Sequence, residues 1–194
     1  MLDQQNTQLP APRVPVVGEG ALMERSWYRF FTNLYNYFIN LPYGSFYDTT
    51  TQSATANTPT AITFDTTATA RHAYIGTPTS RIVFDADGLT SITFSIQLSN
   101  PSNVSEDDVY VWLRKNGVDV PYTSSAITVP KSHGGIDGTA LLAVNFFETF
   151  APSDYLELYW LTTTGATQIK TIPASVSPAR PASPGVVLTV SQII

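Results

Sequence analysis

The sequence predicts an all-β protein, a sandwich or barrel with a jelly roll as its preferred form, on three observations. From Phe46 onward no stretch repeats with a helical period, whereas about eight short segments alternate between Gly, Pro and Asn turn signals. The last of these, Val186 to Ile193, follows a long connection, which favours a Greek-key return over a simple meander. Charged residues make up only 13% of the chain, against about a quarter in ordinary soluble domains, so much of the surface is expected to be covered. With 194 residues the chain is long enough for one substantial domain and an appendage. The expected division is an extended arm over 1–25, an amphipathic helix over 26–41 and the sandwich over 42–194.

Residues 1–25 hold Pro10, Pro12 and Pro15, then Gly18 and Gly20, and follow neither period. Proline fixes φ and removes a donor, so this segment reads as an extended arm. Either it is a disordered tail, or it orders on a partner through Val14, Val16 and Val17. The next stretch, SWYRFFTNLYNYFINL (26–41), places Trp27, Phe30 or Phe31, Leu34, Phe38 and Leu41 on one helical stripe. Ser26 is the expected N-cap and Pro42 the stop. The helix is either a core element of its own domain or a docking and oligomerisation element. Because the downstream segments suffice to close a sandwich, burial against another molecule is the stronger reading.

Thr60–Phe64 alternates, and Ser80–Phe84 does so before the turn Asp85-Ala86-Asp87-Gly88. In LTSITFSIQL (89–98), Ile92, Phe94, Ile96 and Leu98 share one face, and Thr93, Ser95 and Gln97 the other. Asp108–Arg114 follows, with Val109, Val111 and Leu113 opposite Tyr110, Trp112 and Arg114. Asn116-Gly117 tolerates positive φ at both central positions of a type I′ turn and leads into Val118–Val120, which predicts a hairpin. Ser125–Val129 is a short strand. KSHGGIDG (131–138) reads as a mobile, glycine-rich surface loop. Thr139–Phe150 sets Leu141, Ala143, Asn145 and Phe147 against Leu142, Val144, Phe146 and Glu148, and Tyr155–Thr162 is an aromatic strand. A proline-rich passage with Pro173, Pro178, Pro181 and Pro184 precedes the final strand, where Val186, Leu188 and Val190 are in phase.

The chemistry-bearing residues are sparse. The chain has no cysteine, so neither a disulfide framework nor a thiolate metal site is available. The formal charge is −5 and the 10 basic residues are dispersed, which argues against nucleic-acid binding. The start MLDQQNTQLPAPR has neither the basic opening nor the apolar core of a signal peptide, and no apolar run reaches membrane-spanning length; a soluble chain made in the cytoplasm, with no membrane partner, is expected. His133-Gly134-Gly135 is similar to a hydrolase oxyanion loop, but no Gly-x-Ser-x-Gly turn accompanies it, and Ser132 beside it is no dyad by adjacency. His72 is expected to face solvent in a threonine- and alanine-rich loop. Asp85-x-Asp87-Gly88 lacks the rest of a calcium loop, and Glu106-Asp107-Asp108 reads as a solvated loop. No catalytic residue, cofactor or metal is predicted.

The phrases YGSFYDTTTQ (43–52), SITFSIQLSN (91–100), DVYVWLRKNGVDVP (108–121), NFFETFAPSDYLELYW (145–160) and PGVVLTVSQI (184–193) together resemble the β-sandwich module of structural proteins of tailed bacteriophages. RVPVV (13–17) and SWYRFFTNLY (26–35) resemble the N-terminal segment that often accompanies it. The resemblance implies a tumour-necrosis-factor-like jelly roll that forms homotrimers with one sheet facing the threefold axis. It implies a non-enzymatic capsid decoration or cement protein on the virion surface, made in the bacterial host. Partners would be its own copies and the major capsid protein or another virion protein. Docking would fall to Val14, Val16, Val17, Trp27, Phe30, Phe31, Leu34 and Phe38, and trimer contacts to Phe94, Ile96 and Leu188. The alternative is a receptor-binding head- or tail-fibre tip whose 131–138 loop meets a host glycan or protein.

Overall fold

The computed structural model describes residues 9–11, 13–18, 20, 22–39 and 41–193, with side chains for all of these except 36–39. The chain divides into two compact units, Met1–Leu41 and Pro42–Ile194.

In the first unit the arm is not simply extended. Gly18 N–H donates to the Leu22 carbonyl at 2.8 Å and Glu24 N–H to that of Val16 at 3.0 Å, so the chain reverses on itself. Gly20, at φ 81°, supplies the left-handed residue that this reversal needs. Helix α1 (Arg25–Ile39) follows. It starts before Ser26, and its first backbone bond runs from Tyr28 N–H to the Glu24 carbonyl at 3.0 Å, so Glu24 rather than Ser26 occupies the N-cap position. Leu41 lies beyond its last turn, and Asn40 is outside the described residues.

The second unit is a jelly-roll sandwich. Its main strands are β1 (Tyr43–Asp48), β2 (Thr66–Arg71), β3 (Ala73–Ile75), β4 (Ile82–Phe84), β5 (Gly88–Asn100), β6 (Asp107–Lys115), β7 (Ser125–Val129), β8 (Gly138–Phe150), β9 (Tyr155–Thr162) and β10 (Val186–Gln192). The first sheet runs β2–β1–β10–β5–β8, and the second β7–β6–β9–β4–β3. Every pairing is antiparallel, and the chain crosses repeatedly from one sheet to the other. The N- and C-terminal strands β1 and β10 are neighbours at the middle of the first sheet, as a Greek-key return requires.

Alternation explains the core. Ile92, Phe94, Ile96 and Leu98 of β5, Val186, Leu188 and Val190 of β10, and Phe46 of β1 point inward from the first sheet. They meet Val109, Val111 and Leu113 of β6 and Leu156, Leu158 and Trp160 of β9. Phe84 and Phe150 stack at 4.0 Å between centroids. Asn116 and Gly117, at φ 50° and 80°, make the expected two-residue turn.

Three local expectations change. Of Thr60–Phe64 only Thr60–Ala61 is a strand, although Ile62 N–H still donates to the Leu158 carbonyl at 2.8 Å and Ile62 and Phe64 are buried. The threonine- and alanine-rich stretch expected as a loop forms β2 and β3, and His72 sits half-buried at the corner between them at φ 54°. Strand β2 is at the sheet edge with little burial on either face, so its sequence shows no period of two. The 131–138 segment is a tight hairpin: His133 and Ile136 exchange backbone bonds of 2.9 and 3.0 Å across Gly134 and Gly135.

Asp107, expected in a solvated loop, is a structural pin only 1% exposed at the start of β6. It accepts bonds from Thr162 Oγ1 at 2.5 Å, Thr163 Oγ1 at 3.1 Å, and the N–H groups of Thr164 and Thr167, each at 2.9 Å. Burial opposes its charge, but these donors together outweigh burial and hold the carboxyl well below its ordinary value of 3.8. A depressed folded pKa contributes stability that is complete above the unfolded value and is lost progressively as the pH falls from there through the folded value. Asp107→Asn is expected to cost about 3 kcal/mol at neutral pH. Urea unfolding from pH 7 down to pH 2.5 should show the wild type losing stability below about pH 4, with a flatter profile in the variant.

Candidate functional site

The outward face of the first sheet is built from the residues that alternate with the core. Tyr43, Ser191, Ser91 and Phe147 lie side by side across β1, β10, β5 and β8. Ser45, Thr189, Thr93 and Asn145 form the next row, and Tyr47, Val187, Ser95 and Ala143 the third. None of these twelve positions carries a Lys, Arg, Asp or Glu. Asn145 ties the rows together, donating from Nδ2 to Thr93 Oγ1 at 2.7 Å and Ser91 Oγ at 2.9 Å. Two large apolar side chains of β8 stand out from the face, Leu141 at 62% and Phe147 at 61% exposure. A wide, uncharged face with projecting apolar groups is the surface chemistry of a protein interface core.

The outward face of the second sheet is the opposite in character. Arg114 Nε donates to Asp119 Oδ1 at 2.7 Å and Trp112 Nε1 to the same oxygen at 2.8 Å. These two donors hold the Asp119 carboxyl below its ordinary range. The Arg114 guanidinium also lies over the Tyr159 ring at 3.8 Å, and that of Arg81 over Tyr155 at 4.2 Å. Glu157 accepts from Ser80 Oγ at 2.6 Å. Asp119 is exposed, so the Arg114–Asp119 pair suits contact with water, whereas Glu157 is buried at 5% exposure with Ser80 as its donor and the Arg81 guanidinium 3.7 Å away.

The residues expected to make trimer contacts are placed elsewhere. Phe94, Ile96 and Leu188 are 1%, 0% and 0% exposed and lie in the sandwich core, so their side chains are not available to another copy. The same strands present Thr93, Ser95 and Thr189 outward instead, since adjacent strand residues face opposite ways. The signal for this was legible: the alternate positions of TSITFSIQ (90–97) are hydroxyl and amide residues, without the lysines and glutamates usual on a solvated face.

In the first unit Trp27 Nε1 donates to the Val14 carbonyl at 3.0 Å. Its ring stacks on Phe31 at 5.9 Å and meets Phe30 edge-on at 6.1 Å. Val14, Trp27, Phe30 and Phe31 are thereby brought together. Leu34 is half-buried, and Val16, Val17 and Phe31 are exposed. The Phe38 side chain lies outside the described residues. Tyr28 and Tyr35, absent from the expected docking set, are exposed on α1.

The weak catalytic candidates have structural roles or none. Ser132 Oγ donates to the Pro101 carbonyl at 3.0 Å. Among the described residues no group of three or more His, Cys, Asp or Glu is placed to share a metal ion, and no helix is long and apolar enough to cross a membrane.

No protein-family model matches the chain, and no curated protein matches it. Among solved structures the chain is similar to the globular domain of zebrafish complement 1qA protein, at 10% identity and a TM-score of 0.45, over 79% of this chain and 98% of that one. The jelly-roll assignment rests on the strand pairings themselves.

Trp27→Phe keeps a ring in place and removes the donor to Val14. Proteolysis within residues 13–24 is expected to speed up about fivefold, the equivalent of about 1 kcal/mol, with the unfolding midpoint of the sandwich unchanged. Limited proteolysis with mass spectrometry, alongside thermal unfolding, checks both halves.

Proposed function

We propose that this chain is a non-enzymatic structural subunit of a bacteriophage virion, a homotrimer that decorates or cements the capsid shell. Its copies associate through the outward face of the first sheet, and the Met1–Leu41 unit attaches them to the major capsid protein or another virion protein. The observation that carries the association is the uncharged face crossed by β1, β10, β5 and β8, with Leu141 and Phe147 projecting from it. The projecting Leu141 and Phe147 are costly to leave in water, the surrounding hydroxyl and amide residues carry no charge that would oppose a second copy, and self-association is the commonest way for a single chain to cover such a face. The virion setting is supported by the sequence resemblance, and the attachment role by the exposed aromatic side chains of α1, Tyr28, Phe31 and Tyr35.

Native mass measurement is expected to give three copies. Leu141→Glu combined with Phe147→Glu should yield a monomer with an unchanged circular dichroism spectrum, since both side chains lie outside the core. A wild-type monomer at micromolar concentration overturns the association. On purified particles, dozens or more copies per shell are expected, and Trp27→Ala with Phe31→Ala should release the protein while leaving the trimer intact. A few copies confined to the tail would overturn the shell assignment in favour of a receptor-binding fibre tip.

A further inference from the structure

Along β8 the outward positions read Leu141, Ala143, Asn145 and Phe147, so one carboxamide stands between the two apolar groups that project from the uncharged face. It heads a row that crosses the sheet: Asn145, Thr93, Thr189, Ser45 and Thr69 lie side by side on β8, β5, β10, β1 and β2.

The neighbours of Asn145 fix which way its amide points. Nδ2 lies 3.2 Å from the Ile92 carbonyl, which can only accept, so the amino group rather than Oδ1 is turned toward β5. The same nitrogen reaches Thr93 Oγ1 at 2.7 Å and Ser91 Oγ at 2.9 Å. Both hydroxyls accept there and keep their own hydrogens to donate elsewhere. Oδ1 receives no hydrogen bond among the described residues, and Asn145 is exposed. The face therefore holds an unused acceptor with hydroxyl donors on the strands beside it, so both halves of a hydrogen bond between copies are present on one surface.

In water Oδ1 is hydrated. Under a second protein surface it is satisfied only where a donor arrives, and everywhere else it becomes a buried acceptor without a partner. Contact through Leu141 and Phe147 is non-directional and tolerates sliding and rotation, whereas a hydrogen bond does not. We propose that Asn145 sets the number and register of subunits in the assembly. Its Oδ1 accepts from a serine or threonine hydroxyl on the outward face of the adjoining copy, and arrangements that bring no hydroxyl there are disfavoured. This rests on the self-association proposed above and adds the group that chooses among the ways such faces can meet. A single polar residue in the apolar seam of a coiled coil acts in this manner, fixing register and subunit count while lowering stability.

Asn145→Leu removes the acceptor at a position outside the core. In native mass measurement across a dilution series, the wild type is expected to give one associated species of three copies. The variant is expected to associate at least as tightly but to raise the share of other stoichiometries by about tenfold. Asn145→Val, a second change compatible with a strand, should do the same, and thermal unfolding shows whether each variant keeps its fold. Because Asn145 also ties β8 to β5, a purely structural role would lower the unfolding midpoint and leave the stoichiometry at three. That result, or variants that are only monomeric, overturns the role of Asn145 while leaving the wild-type trimer standing. A monomeric wild type overturns the self-association itself and the role of Asn145 with it.

Discussion

The pleat of β5 is the constraint on which the rest of the structure depends. This strand pairs with β8 along its whole length, from Gly88 opposite Phe150 to Asn100 opposite Gly138, and with β10 along its other edge from Thr90 to Ile96. Held on both sides, each of its residues has two destinations only, the core or the outward face. Ile92, Phe94, Ile96 and Leu98 take the first, and Ser91, Thr93 and Ser95 take the second. A register slip of one residue exchanges the two sets and puts hydroxyls where Leu158 and Trp160 need apolar partners, so burial of one face fixes the composition of the other.

That partition organises the charges. In the first sheet the outward rows across β1, β10, β5 and β8 carry none, Arg71 of the edge strand β2 lying at their margin beside Tyr43, whereas the second sheet bears the ion pairs Arg81–Glu157 and Arg114–Asp119. The exposed pair Arg114–Asp119 adds little stability, and its importance lies in keeping that side of the sandwich compatible with water. Asp107 is a different case. Its carboxylate is buried, and the four donors around it tie the start of β6 to the exit of β9. Without them it would be an unpaired charge, which a sandwich this size tolerates poorly. The two polar designs act at separate levels: Asp107 secures the fold, and the uncharged face makes the folded chain a candidate to assemble.

Small pieces of backbone decide what that assembly surface looks like at its margin. Two glycines in left-handed conformation turn the 131–138 segment from a flexible loop into a tight hairpin, and Gly20 reverses the arm ahead of α1 in the same manner. In α1, the indole of Trp27 reaches back to the Val14 carbonyl, so part of the apolar stripe is used within its own unit. The exposed remainder, Tyr28, Phe31 and Tyr35, is set by what that internal contact leaves over.

By itself the sequence determined the class of fold, the long strands and the faces along them. Period-two alternation in 89–98, 108–114 and 139–150 reports burial directly, and Asn116-Gly117 reports a turn that few other pairs allow. It also carried the absence of charge that singles out one face, which Thr93, Ser95 and Thr189 present while Phe94, Ile96 and Leu188 lie in the core. Only the tertiary structure decided which strands lie side by side and which sheet each joins, because alternation marks the apolar side of a strand without naming its neighbours. It alone placed the edge strand Thr66–Arg71, whose exposed faces leave no periodic trace, and the carboxylate of Asp107, whose donors come from 55 to 60 residues away. Long-range pairing creates those environments, and no local pattern of residues encodes them.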